Sequence, residues 1–153
     1  MTGVIEWIPG PTPPSAMRLD VLDPNGTAPA HVIDEDHAFT VQLTWTVPAP
    51  EAQLLGGEFR LRVYAESIGP GQETQIGATT TVPVTPIAVG DRVYVQDIDV
   101  PAHTLVGEGG AFGGAIVSGC YKLAAVLQHI NGGIITEVSG YAEMDGLLFV
   151  RLP

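Results

Sequence analysis

From Phe39 to Val47 the chain alternates without a break. Phe39, Val41, Leu43, Trp45 and Val47 are apolar, and Thr40, Gln42, Thr44 and Thr46 stand between them. A period of two puts one set on a buried face and the other in water, and these residue types suit a pleated, half-buried surface, so the pattern predicts a β-strand. Residues 58–67 repeat it, with Phe59, Leu61, Val63 and Ala65 inward and Arg60, Arg62, Tyr64 and Glu66 outward. Residues 17–22 read as a strand with Leu19 and Val21 on one face. Residues 73–84 are rich in threonine, and Pro83, which has no N–H to donate, marks an edge or a strand end. In residues 92–100 the parities mix: Val93, Val95 and Asp97 share one, Tyr94, Gln96, Ile98 and Val100 the other. That predicts a strand with a bulge or with two unlike environments. From Cys120 to His129, Tyr121, Leu123, Ala125 and Leu127 share a face, and residues 134–138 and 146–152 supply the last strands.

Between these runs lie Asp23-Pro24-Asn25-Gly26, Gly69-Pro70-Gly71 and Asn131-Gly132-Gly133, all turn compositions. Short strands separated by turns, with no helical period, predict an all-β chain folded as an antiparallel β-sandwich of roughly seven to nine strands. Trp45 on an early strand, and the late segment Gly119-Cys120-Tyr121-Lys122-Leu123-Ala124-Ala125, resemble the immunoglobulin-like and fibronectin-type-III-like superfold. The resemblance implies that Tyr121 ties a corner with its hydroxyl. The paired cysteines of antibody domains are absent, and the length calls for insertions, placed at 101–118 and 128–144.

Ahead of the domain at 17–153, residues 1–16 hold the apolar Val4, Ile5, Trp7 and Ile8 and then the stiff run Pro9-Gly10-Pro11-Thr12-Pro13-Pro14. Two readings fit: an edge strand folded on its own domain, or an extended N-terminal arm that adds a strand to a neighbouring subunit.

Charge narrows the functions. Six basic residues stand against seventeen acidic ones, a net charge of −11, which repels phosphate backbones and anionic lipid, so neither nucleic acid nor membrane is an expected partner. Yet only 15% of residues are charged and mean hydropathy is positive. An acidic but apolar chain points either to a surface covered by a partner or to a large core behind threonine-rich faces. The amino terminus lacks the basic and apolar regions of a secretory signal, so the expected location is cytoplasmic, or a particle, or the outside by a leaderless route.

Candidate chemistry is sparse. Asp34, Glu35, Asp36 and His37 are the densest polar cluster, and with Asp97 and Asp99 they offer oxygen ligands for calcium, though no EF-hand spacing is present. The histidines His31, His37, His103 and His129 show no zinc spacing. Cys120 reads as a buried, inert thiol or as a nucleophile, with no histidine near it in sequence. Residues 107–114, GEGGAFGG, lack the Lys-Ser/Thr of a phosphate loop. They form either a plain mobile loop or one that presents Phe112 to a partner. With no catalytic set in sight, the sequence predicts a non-enzymatic subunit without a cofactor, a homo-oligomer or a component of a shell, tube, filament or adaptor. Its expected contacts are Val4, Ile5, Trp7, Ile8 and Phe112. The alternative is a calcium- or small-ligand-binding module using Asp34, Asp36, Asp97 and Asp99.

Overall fold

A computed structural model describes residues 3–6, 15–26 and 30–153; Trp7 and Ile8 lie outside them. The chain is all-β and mostly antiparallel. Its strands are β1 (Gly3–Glu6), β2 (Ser15–Leu22), β3 (Val32–Asp34), β4 (Phe39–Val47), β5 (Glu58–Ser67), β6 (Glu73–Pro83), β7 (Arg92–Val100), β8 (Ala111–Phe112), β9 (Ala115–Ile116), β10 (Cys120–Asn131), β11 (Ile134–Glu143) and β12 (Leu148–Arg151). One helical turn, α1 (Glu51–Leu54), joins β4 to β5. The count of twelve exceeds the expected seven to nine because segments of two to four residues, such as β1, β3, β8 and β9, are too short to display a period.

Ten strands form one hydrogen-bonded sheet. β10 is its longest member and its hub. β5 runs along one side of it, paired from Ser67 with Tyr121 to Glu58 with Ile130. The other side is shared: β12 pairs at Cys120 and Tyr121, and β11 takes over from Ala124. Beyond β11 the order is β1, β2, β4, β7; beyond β5 lies β6; and β3 joins β12 in parallel.

The alternation in β4 is realised residue by residue, its five apolar side chains buried and its four polar ones half-exposed. Trp45 lies directly opposite Tyr94 of β7 and stacks on it at 5.3 Å, with the ring planes 8° apart. Phe59 of β5 meets both rings edge-on, at 5.6 and 5.5 Å, and touches His129 of β10 on its far side. Each such pair adds about 0.5–1.5 kcal/mol beyond the area it buries. The cluster joins β4 and β7, at one end of the sheet, to β5 and β10, near the other, so distant parts of one sheet share one core. The ends also meet directly. At Gly77 of β6, where the register with β5 slips, a side chain would lie 2.6 Å from Ile98 of β7, and φ is +68°. Only glycine fits that conformation and that approach. β7 has the two unlike faces its mixed parity predicts: Tyr94, Ile98 and Val100 are buried, while Val93 and Val95 are exposed.

The amino-terminal segment is an interior strand here. β1 lies between β11 and β2, with Ile5 opposite Gly140 and fully buried. A side chain at Gly140 would come within 2.8 Å of Ile5 and 3.2 Å of Met17, so this glycine makes the room that Ile5 occupies.

Tyr121 is the second residue of β10, and its hydroxyl donates to the Val106 carbonyl at 2.6 Å. Gln72 reinforces the junction, its amide donating to Thr104 O and its oxygen accepting from Val106 N. Burial pushes the Tyr121 hydroxyl above its ordinary pKa, and Glu35 adds to the rise. This knot pins the segment expected as the first insertion; the second expected insertion holds the long β10–β11 hairpin. Two strands, β11 and β12, follow β10.

Two stability measurements check this account. Ile5→Ala should lower the urea-unfolding free energy by about 2–4 kcal/mol, the range for truncating a buried aliphatic side chain. Tyr121→Phe leaves the Val106 carbonyl without its side-chain donor and should cost about 1–2 kcal/mol. An unchanged urea midpoint in either variant would contradict the packing described.

Candidate functional site

The outer faces and the two poles of the sheet carry what remains for function. At the Cys120 pole, β8 and β9 form a separate two-stranded hairpin, Ala111 opposite Ile116 and Phe112 opposite Ala115. Its turn is Gly113-Gly114, both at positive φ (59° and 83°), the twin left-handed conformation of a tight two-residue hairpin. The base is fixed by Val117 N to Gly110 O, Gly109 N to Val117 O and Glu108 N to Val150 O, and Val117 is buried. The tip is unsupported. Phe112 is 44% exposed, Ile116 is 73% exposed, and residues 111–116 carry no charge. The glycine-rich stretch is thus an ordered hairpin that presents Phe112. Of the other expected contact residues, Val4 is exposed and Ile5 is spent in the chain's own core.

The opposite pole repeats the chemistry. Asn131 pairs with Ile134 across Gly132-Gly133, again both at positive φ (59° and 78°). Ile134 and Ile135 are 71% and 57% exposed. Sequence reasoning finds the turn but misses the exposed isoleucines. The available signal was the adjacent pair itself, since neighbouring strand residues cannot share a buried face.

A groove of about 410 Å³ crosses the outer face of β6, β5, β10 and β11. Its walls are Tyr64 and Tyr141, with the small Ala124 between them. Two of its lining residues engage Glu143: the Tyr141 hydroxyl donates to Oε1, and the Lys122 ammonium, the only lysine of the chain, lies 2.9 Å from the same oxygen. These two partners hold the Glu143 carboxyl below the usual range. The bond to Glu143 in turn raises both the Tyr141 phenol and the Lys122 ammonium. A carboxyl kept ionised in this way is unsuited to general-acid work. The groove offers aromatic faces and fixed charges.

The carboxylates named as calcium ligands divide into two sets. Asp34, Asp36 and His37 place ligand atoms within 4.8 Å of one another. Arg151, however, already grips Asp34 Oδ1 through Nη2 at 2.6 Å and Nε at 2.8 Å, and the three groups are at least partly exposed. Asp97 and Asp99 stand on the outer face of β7, where they accept from Gln42 at 3.0 Å and Thr40 at 3.2 Å across the strand pair, and they are not part of that group. Calcium takes six to eight oxygens; of the three carboxylates at residues 34–36, two converge, and one of those is held by a guanidinium.

His129 is buried and bonded at both nitrogens, Nε2 to Gly56 O at 2.6 Å and Nδ1 to Thr136 Oγ1 at 2.8 Å. A carbonyl only accepts, so Nε2 carries the proton, and the ring staples the segment after α1 to the β10–β11 hairpin. Cys120 is part-exposed rather than buried, because Tyr121 takes the inward parity at the start of β10. Among the described residues no helix is long and apolar enough to cross a membrane. No family model matches the chain, and no curated protein matches it.

The Glu143 network has a direct optical test. Replacing Glu143 by Gln keeps an acceptor oxygen but removes the negative charge that stabilises the protonated phenol, so Tyr141 should titrate at lower pH. A difference ultraviolet titration between the two proteins reads the shift, and identical tyrosinate curves would show that the bond is not formed in solution.

Proposed function

We propose that this chain is a non-enzymatic interaction subunit, built as an immunoglobulin-like β-sandwich, that assembles with copies of itself or with other subunits of a larger structure. The observation that carries this reading is the β8–β9 hairpin, an ordered projection whose tip is apolar, exposed and free of charge in a chain of net charge −11. An aromatic anchor flanked by small residues is the composition of an interface centre. The β4–β7 layer facing β5 and β10 supports the sandwich. Glu143, Asp34 and His129 are engaged by structural partners, which favours a scaffold over a reaction centre.

Light scattering after size exclusion tests the hairpin. The wild-type chain should exceed its 16.0 kDa monomer mass as concentration rises. Phe112→Asp should return it to the monomer with an unchanged circular dichroism spectrum. A variant that assembles as the wild type does would remove the hairpin from the interface.

A further inference from the structure

The groove between Tyr64 and Tyr141 has no part in the association proposed above. We infer that it binds a small organic cation, an ammonium or guanidinium group carried on an apolar body.

The strand registers fix the shape. Tyr64 of β5 lies opposite Ala124 of β10, and Ala124 lies opposite Glu143 of β11. Tyr141 stands two residues before Glu143, on the same face of its strand. Two exposed tyrosines therefore flank a floor that is only a methyl group, one strand to either side of it. The volume of about 410 Å³ is that of a small-molecule site.

Charge selects the ligand. Glu66 and Glu73 both line the groove, and they stand directly opposite each other on β5 and β6. Like charges so placed repel across the strand pair. Among the described residues neither carboxylate forms an ion pair. Lys122 faces Glu66 across β5 and β10, yet its ammonium is bonded to Glu143. The groove thus sets two carboxylates without a bonded cation beside two aromatic faces.

A ligand cation completes that set. It relieves the repulsion between Glu66 and Glu73, and a tyrosine face attracts it through the ring quadrupole. The chain makes the same contact elsewhere, where the Arg92 guanidinium lies 4.6 Å from the centre of the Tyr94 ring. Other occupants fit less well. An anion meets both carboxylates, and a neutral molecule leaves them repelling. A metal ion takes oxygens and gains nothing from Ala124 or the ring faces. A second copy is a poor source of the cation, because Arg18, Arg92, Lys122 and Arg151 are engaged within their own chain. The net charge of −11 also draws small cations toward the surface.

Nitrogen–proton correlation spectra of the full chain read the site. The probes are choline, butylamine and butylguanidine, with the uncharged carbon isostere of choline and calcium chloride as controls. At least one of the three cations should shift the amides of residues 64–66, 73–75, 122–124 and 141–143, and the isostere should not. Tyr64→Ala should weaken that binding about five- to tenfold, and Glu66→Gln with Glu73→Gln about tenfold or more. All three side chains are exposed, so the circular dichroism spectrum should be unchanged. Silence with all three cations, equal shifts with the isostere, or undiminished affinity in either variant would overturn the inference. So would a response to calcium chloride alone. The groove shares no residue with the β8–β9 hairpin, so failure here leaves the association standing, and the reverse.

Discussion

The contact between Trp45, Tyr94 and Phe59 is what the rest of the structure depends on. Ten strands in one sheet have no reason of their own to enclose a core; a sheet must bury one face against something. Here the something is its own far side. Trp45 and Tyr94 are cross-strand partners on β4 and β7, and Phe59 reaches them from β5, so the three rings join parts of the sheet that are remote in strand order. The contact also has a cost: among the described residues the Trp45 indole N–H is buried with no hydrogen-bond partner. An unmade bond of that kind is worth about 1–3 kcal/mol, and it is tolerated because rotating the ring to find a partner would break the stack that closes the fold.

Closure explains the devices around it. Gly77 lets β6 come against Ile98, and Gly140 lets β1 lay Ile5 between β11 and β2. Tyr121 and Gln72 hold the 101–106 segment across one end, and His129 does the same work for residues 56–57 at the other. Each is a single polar or glycine position that matters because two distant segments converge on it.

That convergence separates what was legible in the sequence from what was not. The strands of the core were legible because burial on one face writes a period of two into the residues themselves, as in Phe39–Val47 and in Tyr121 to Leu127. The reach of β11 to Glu143, beyond the expected 134–138, was not, because the room that Gly140 leaves is filled by Ile5 from a distant segment. β1 was ambiguous for the same reason: an apolar segment before a proline run suits an arm as well as a strand, and only its ladder partners decide. At the site, Phe112 among glycines stood out by composition. The acidic loop has a partner that no local pattern shows, because Arg151, which grips Asp34, lies 117 residues away.

The distribution of charge then has a structural logic. Most acidic side chains sit on the outer faces of strands or in turns, where Asp97, Asp99 and Glu143 are each bonded to a neighbour. Those faces resist association with other acidic faces, sideways packing of copies included. Residues 111–116 and 130–135, which hold the two Gly-Gly turns, carry none of that charge. Like-charge repulsion penalises the approach of one acidic flank to another. A flat, apolar flank would have permitted many packings. An acidic flank permits few.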